Sequence, residues 1–270
     1  MSITRAYTHC RFGQLHYRAA GPAVAAAMTG TPVVLLHQNP SSSWEYEPLI
    51  TALAQDRRVI AFDTPGLGMS ESPPAPIDIA SYAAAFADGI ANIGLDGPFD
   101  LYGFHTGSLL AIELALALPA QARRIALTGI PMYPSAERAR KFAEATDYPE
   151  PGEDGAVVLD LLGKLWNYVV VQRAPGVPIA RAIRHFADKS WILDRFTWVY
   201  QAVWSYDYEP LRRLEQPILL LQPDEPLREP TLAAGRLLRD CTLRELPDLT
   251  RDIFDLAPER LADELRRFFG

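Results

Sequence analysis

The feature that most constrains this chain is a corner. Leu101 to Phe104 reads as a short buried strand, and Thr106 to about Leu118 as an alanine- and leucine-rich helix. Between them stands Gly103-Phe104-His105-Thr106-Gly107. A small residue on each side of the central position is what a sharp strand-to-helix turn requires, because neighbouring backbone passes too close for a larger side chain. A chain that turns this way feeds a buried strand straight into a helix. The remaining sequence continues that rhythm. Strand-like runs at 31–37, 58–63, 124–129, 217–222 and 242–246 alternate with helical patterns at 47–55, 79–93, 231–239 and 258–269. Such alternation gives an α/β fold with a mostly parallel central sheet and helices on both faces. Ahead of it, residues 4–9 and 14–18 alternate around 11–13 as a β-hairpin, and 21–30 form an alanine-rich loop.

The alternation breaks between residues 134 and 213. Helical patterns appear there at 156–170, 179–188 and 192–204, with four of the chain's five tryptophans. Residue by residue these aromatics read as core. As a group they imply an apolar or aromatic small-molecule substrate under a greasy lid.

Charge and cysteine usage narrow the function classes. A net charge of −7 with no basic cluster argues against nucleic acid or an anionic membrane as the main partner. No apolar run approaches a membrane span, and residues 1–17 lack the apolar region of a signal peptide, so the expected location is cytoplasmic. Cys10 and Cys241 are expected to be reduced, and no Cys/His spacing suggests a metal site. No cofactor is expected, and a homodimer is a candidate assembly.

Four motifs, each at its expected place in the alternation, give the chain its resemblance to the α/β-hydrolase family. They are His37-Gln38-Asn39-Pro40, the turn from Asp63 to Ser70, the corner at Gly103 to Gly107, and Ala257-Pro258-Glu259-Arg260 before a closing amphipathic helix. The segment from His37 to Ser43 is also similar to a loop of haloalkane dehalogenases. The resemblance implies an α/β-hydrolase core at 1–133 and 214–270 and a helical cap at 134–213. It also implies a nucleophile at the corner, an acid after the strand at 218–222, and a catalytic histidine before Pro258.

This sequence departs from that pattern at all three places. The corner carries His105 where the family has serine. Counting from the strand puts Glu225 at the acid position, with Asp224 as a one-residue slip, and the base position is Arg251. No histidine follows His185, so realignment cannot restore the usual base. The hydroxyl nucleophile and its imidazole partner are both missing. Thr106 and Ser108 lie in the first helical turn, where their hydroxyls are expected to cap backbone N–H groups. An oxyanion hole from the backbone N–H of Thr106 and of the Asn39 region needs none of the lost side chains.

The expectation is an enzyme with a rewritten triad, His105, Arg251 and Glu225, in which Arg251 and Glu225 form an ion pair. A helix N-terminus and a nearby Arg251 predict a neutral His105. Such a residue suits general-base or nucleophilic chemistry on a small, largely apolar carbonyl compound. The outcome is ester or lactone hydrolysis, or C–C or C–O cleavage. The alternatives are a cofactor-free cyclase or isomerase, and a non-catalytic ligand-binding protein. Gln38, Trp166, Trp198 and Trp204 are expected to touch substrate. His37 is expected to hold its loop, Asp252 and Asp255 to be solvated, with Asp252 as an alternative member of a relay, and His9 and His185 carry no signal.

Overall fold

The computed structural model describes residues 2–22 and 28–270, so the middle of the alanine-rich loop expected at 21–30 lies outside the described residues. Eight strands form one sheet: β1 (Thr4–Cys10), β2 (Gly13–Ala20), β3 (Val33–Leu36), β4 (Val59–Phe62), β5 (Phe99–Phe104), β6 (Ala122–Thr128), β7 (Ile218–Pro223) and β8 (Cys241–Leu246). Their spatial order is β1-β2-β4-β3-β5-β6-β7-β8. The hairpin β1–β2 and the β2–β4 pair are antiparallel, and the other neighbours are parallel.

Burial follows the period-2 geometry of the strands. Val34, Leu36, Ile60 and Phe62 face one core, and Val33, Leu35, Val59 and Ala61 face the other. Both faces are covered, which is why β3 and β4 read as unbroken apolar runs. The first core takes α2 (Ile79–Asn92) and α3 (Thr106–Ala117). The second takes α1 (Glu47–Leu53) and one stripe of the closing helix at Pro258–Phe269. Because α3 is buried almost all round, it is apolar all round.

The insertion between β6 and β7 is helical. It contains α4 (Ser135–Thr146), α5 (Ala156–Trp166), α6 (Ile179–Lys189) and α7 (Trp198–Ser205). The helix α4 is an addition to the helices expected from the sequence, and Pro134-Ser135 and the i,i+4 pairs Glu137–Lys141 and Arg140–Glu144 support it. It is mostly solvent-exposed and so lacks a strong apolar stripe. The chain returns through β7, α8 (Arg228–Gly235), β8, α9 (Ile253–Leu256) and α10 (Pro258–Phe269). Among the described residues no helix is long and apolar enough to cross a membrane, no group of acidic, His or Cys side chains is arranged to hold a metal ion, and Cys10 and Cys241 are unpaired.

β3 has neighbours running out to opposite edges of the sheet. In open α/β sheets such a reversal opens a crevice at the carboxyl ends of the strands. The segments that follow β3, β5, β6 and β7 all emerge there, beneath the helical insertion.

Candidate active site

The corner is built by close approach. A Cβ on Gly107 would lie 1.8 Å from the carbonyl oxygen of Leu36, and one on Gly103 would lie 2.3 Å from that of Gly107. Only glycine lets α3 start hard against β3. The turn residue itself, His105, has φ 52° and ψ −113°, the sole positive φ outside glycine among the described residues. Such a conformation costs on the order of 1–3 kcal/mol and must be held by its surroundings. The His105 N–H donates to the Thr128 carbonyl at 2.7 Å, and the His105 carbonyl accepts from the Ser108 N–H at 2.9 Å. Ser108 is fully buried, and its hydroxyl sits 3.0 Å from the carbonyls of both Gly103 and Thr128. It therefore bonds to carbonyls rather than capping the helix, which corrects the expectation for this residue. It ties the corner to β6 and is not available as a nucleophile.

The His105 ring stacks on Phe104, centroid to centroid at 3.9 Å, and its Nε2 lies 2.6 Å from Oε2 of Glu225. The Glu225 side chain is fully buried, while the His105 side chain keeps 18% of its surface open. Glu225 follows β7, as the count along the sequence expects, and the neighbouring Asp224 is exposed. Gly129 makes the pairing spatially feasible. Its φ is 72°, and a Cβ there would lie 2.3 Å from His105 Cδ2 and 2.8 Å from Glu225 Oε1. Among the described residues no hydrogen bond engages Nδ1 of His105. Where Glu225 accepts at Oε2, Nε2 of the ring is the donor.

Above this pair lies a cavity of about 340 Å³. Its wall includes His105, Thr106, Glu225, Gln38, Asn39, Arg251 and Trp204 from the expected set. Thr106 is the first residue of α3, so its N–H has no intrahelical acceptor. Asn39 is 8% exposed, and neither polar atom of its side chain has a partner. Trp166 and Trp198 are not on this wall. Trp166 is 41% exposed and packs edge-on against Phe186, and Trp198 is half-buried at the start of α7. Residues missed in the sequence complete the wall, among them Tyr133, Lys141, Leu165, Lys189, Tyr200 and Val203. Lys189 gives no site signal in the sequence, because a lysine near the end of an amphipathic helix normally reads as a surface charge.

The expected Arg251–Glu225 ion pair does not form. Glu225 is engaged by His105, whereas Arg251 reaches into the insertion. Its guanidinium donates to the carbonyls of Tyr168 at 2.8 Å and Gln172 at 3.0 Å, and it stacks on the Tyr168 ring at 3.8 Å. The carbonyls near the end of a helical segment lack intrahelical partners and carry the negative pole of its dipole, so they draw the cation. The charge against His105 is therefore a carboxylate rather than the expected arginine.

Asp255 and Asp252 are not solvated charges. Asp255 pairs with Arg181 at 2.7 Å and with His185 at 2.8 Å, and Asp252 accepts the Ala174 N–H at 2.8 Å. These contacts join the C-terminal segment to the insertion, and His185, which showed no signal in the sequence, is one of their partners. His37 accepts the Thr64 N–H on Nε2 at 2.9 Å and donates from Nδ1 to the Gln38 carbonyl at 2.7 Å, so it holds its loop.

A twisted sheet of this order, with polar groups gathered at its carboxyl ends beneath a helical insertion, defines an α/β-hydrolase fold. Residues 31–149 match the family model for the alpha/beta hydrolase fold. A soluble epoxide hydrolase of Corynebacterium sp. (strain C12) is 37% identical over 83 residues, 31% of this chain and 27% of that protein. Haloalkane dehalogenase 2 of Mycobacterium bovis is 28% identical over 130 residues, 48% of this chain and 43% of that protein. These alignments therefore span less than half the length of the curated relatives. Over whole chains, the crystal structure of an esterase from Rhodococcus sp. ECU1013 superposes with a TM-score of 0.76 at 25% identity, covering 100% of both. The chain has the α/β-hydrolase fold.

Proposed function

We propose that the protein is an enzyme acting on a small, largely apolar carbonyl compound, with His105 as general base and Glu225 as the residue that fixes and charges-balances it. The observation that carries this reading is the 2.6 Å contact between Nε2 of His105 and a fully buried Glu225 carboxylate at the cavity wall. In the familiar triad an acid orients a histidine that activates a serine. Here the acid orients a histidine standing at the serine's own position, and the hydroxyl step is absent.

For ester or lactone hydrolysis, Nδ1 takes a proton from a water as its oxygen bonds to the carbonyl carbon. The resulting imidazolium is stabilised by Glu225 through Nε2–H. Negative charge on the carbonyl oxygen is met by the N–H groups of Thr106 and Asn39. As the tetrahedral adduct collapses, the proton on Nδ1 passes to the leaving alkoxide, which restores the neutral ring. Arg251 and Trp204 line the same space and act in binding; Trp166 and Trp198, away from the wall, have no part in this proposal.

The test is turnover of short-chain aryl esters by the wild type and by His105→Gln, after treatment with a serine-directed phosphonate. Hydrolysis that survives the phosphonate and falls at least about 10²-fold in the variant supports the reading. A phosphonate-labelled serine or threonine, or an unchanged rate in His105→Gln, overturns it.

A further inference from the structure

Three side chains of the insertion grip one loop of the core. Lys189, the last residue of α6, donates its ammonium to the Pro40 carbonyl at 2.6 Å. Tyr200 of α7 donates its hydroxyl to the Asn39 carbonyl at 3.3 Å, and Asp188 accepts the Ser42 hydroxyl at 2.7 Å. Lys189 is buried, which pulls its ammonium below the usual range, but Glu45, Asp188 and Asp252 surround it with negative charge. Those acids balance the cation, and its directed bond acts on the loop.

Residues 39–42 follow β3 and carry the Asn39 N–H, which no hydrogen bond engages among the described residues. The direction of that N–H is set by the peptide units on either side of the Asn39 Cα. The Gln38–Asn39 peptide is trans and planar, so the N–H points away from the Gln38 carbonyl. That carbonyl accepts from Nδ1 of His37 at 2.7 Å, an anchor within the core. On the other side, the Asn39 carbonyl accepts from Tyr200 and the Pro40 carbonyl from Lys189. The core therefore fixes one side of Asn39 and the insertion fixes the other.

We propose that Lys189 and Tyr200 are positioning residues. By holding the Pro40 and Asn39 carbonyls they keep the Asn39 N–H aimed at the developing oxyanion, so the loop is set for catalysis only while the insertion is seated on the core. This rests on the reading of the cavity as the reaction site with Asn39 as an oxyanion donor, and it makes the insertion govern turnover as well as binding. An oxyanion donor acts on charge that develops in the transition state, so loss of either grip should fall on kcat and spare KM. A misplacement of about 1 Å is enough to cost on the order of 10²-fold in rate.

The test combines hydrogen exchange with steady-state kinetics on Lys189→Met and Tyr200→Phe in the intact protein. By mass spectrometry, amide exchange across residues 37–46 should quicken at least about threefold in each variant, while the corner at 99–110 keeps its wild-type exchange. On a short-chain aryl ester, kcat should fall about tenfold or more in Lys189→Met and about threefold in Tyr200→Phe, with KM within about twofold of the wild type. Tyr200→Phe removes a single oxygen and covers the case in which the lysine variant fails to fold. Unchanged loop exchange, an unchanged kcat, or an effect confined to KM would overturn the proposal. Where the wild type hydrolyses no ester, the ester reading falls, and the exchange of residues 37–46 still decides whether the insertion holds the loop.

Discussion

The Nε2 atom of His105 and the Oε2 atom of Glu225 lie 2.6 Å apart, although 120 residues separate them in the chain. The end of β5 and the end of β7 bring them together, with β6 between as spacer. Gly129, just past β6, leaves the gap that the pair fills.

Replacing the acid tests the pairing chemically. Glu225→Gln keeps size and shape but can donate to Nε2 and favour the wrong tautomer. The expected result is a fall in kcat of about 10²- to 10⁴-fold with little change in KM. Steady-state kinetics on the preferred ester measures it.

Gly129→Ala tests the gap. The new methyl would stand 2.3 Å from His105 Cδ2 at a backbone position with φ 72°. The variant should lose about 1–3 kcal/mol of stability and its activity together. Thermal unfolding alongside kinetics checks both.

Ser108→Ala separates a structural hydroxyl from a nucleophilic one. It removes the hydroxyl proton that the Gly103 and Thr128 carbonyls share at 3.0 Å, of which Thr128 keeps the His105 N–H. A loss of about 1–3 kcal/mol is expected by denaturant titration, with activity per folded molecule retained.

Asp63 gives an acid limb to stability. Burial pushes its carboxyl up, but the hydrogen bond from His16, aided by the Ser43 N–H, outweighs that and holds it at about 2, below the ordinary value of 3.8. A depressed carboxyl stabilises the fold above its unfolded value and loses that contribution as pH falls through the folded one. The wild type should therefore lose on the order of 2 kcal/mol from this group between about pH 4 and pH 2. Asp63→Asn should show a shallower dependence in the same window, read by denaturant midpoints.

Much of the fold was legible because its signals are local. The corner at Gly103–Gly107 needs small residues, buried parallel strands are unbroken apolar runs, and α10 matches its apolar stripe at Pro258–Phe269. Glu225 could be placed by counting from β7, since little intervenes. The partners of long side chains were not legible. The sequence pattern sets Arg251 against the nearest acid, but its reach lets it choose carbonyls of the insertion instead. Lys189 reads as a surface lysine until α6 is docked on the Asn39-Pro40 loop. Trp166 and Trp204 have the same composition signal, and only the packing of α5 and α7 turns one outward and the other to the cavity.

The central claim is that Glu225 holds the proton on Nε2 of His105 and leaves Nδ1 as the base. Nitrogen-15 NMR of histidine-labelled protein at pH 8, assigned with His105→Gln, measures this directly. A protonated Nε2 and a lone-pair Nδ1 in the wild type, with the Nε2 proton signal displaced in Glu225→Gln, are the predicted result. A proton on Nδ1, or a His105 ring indifferent to Glu225→Gln, would contradict it.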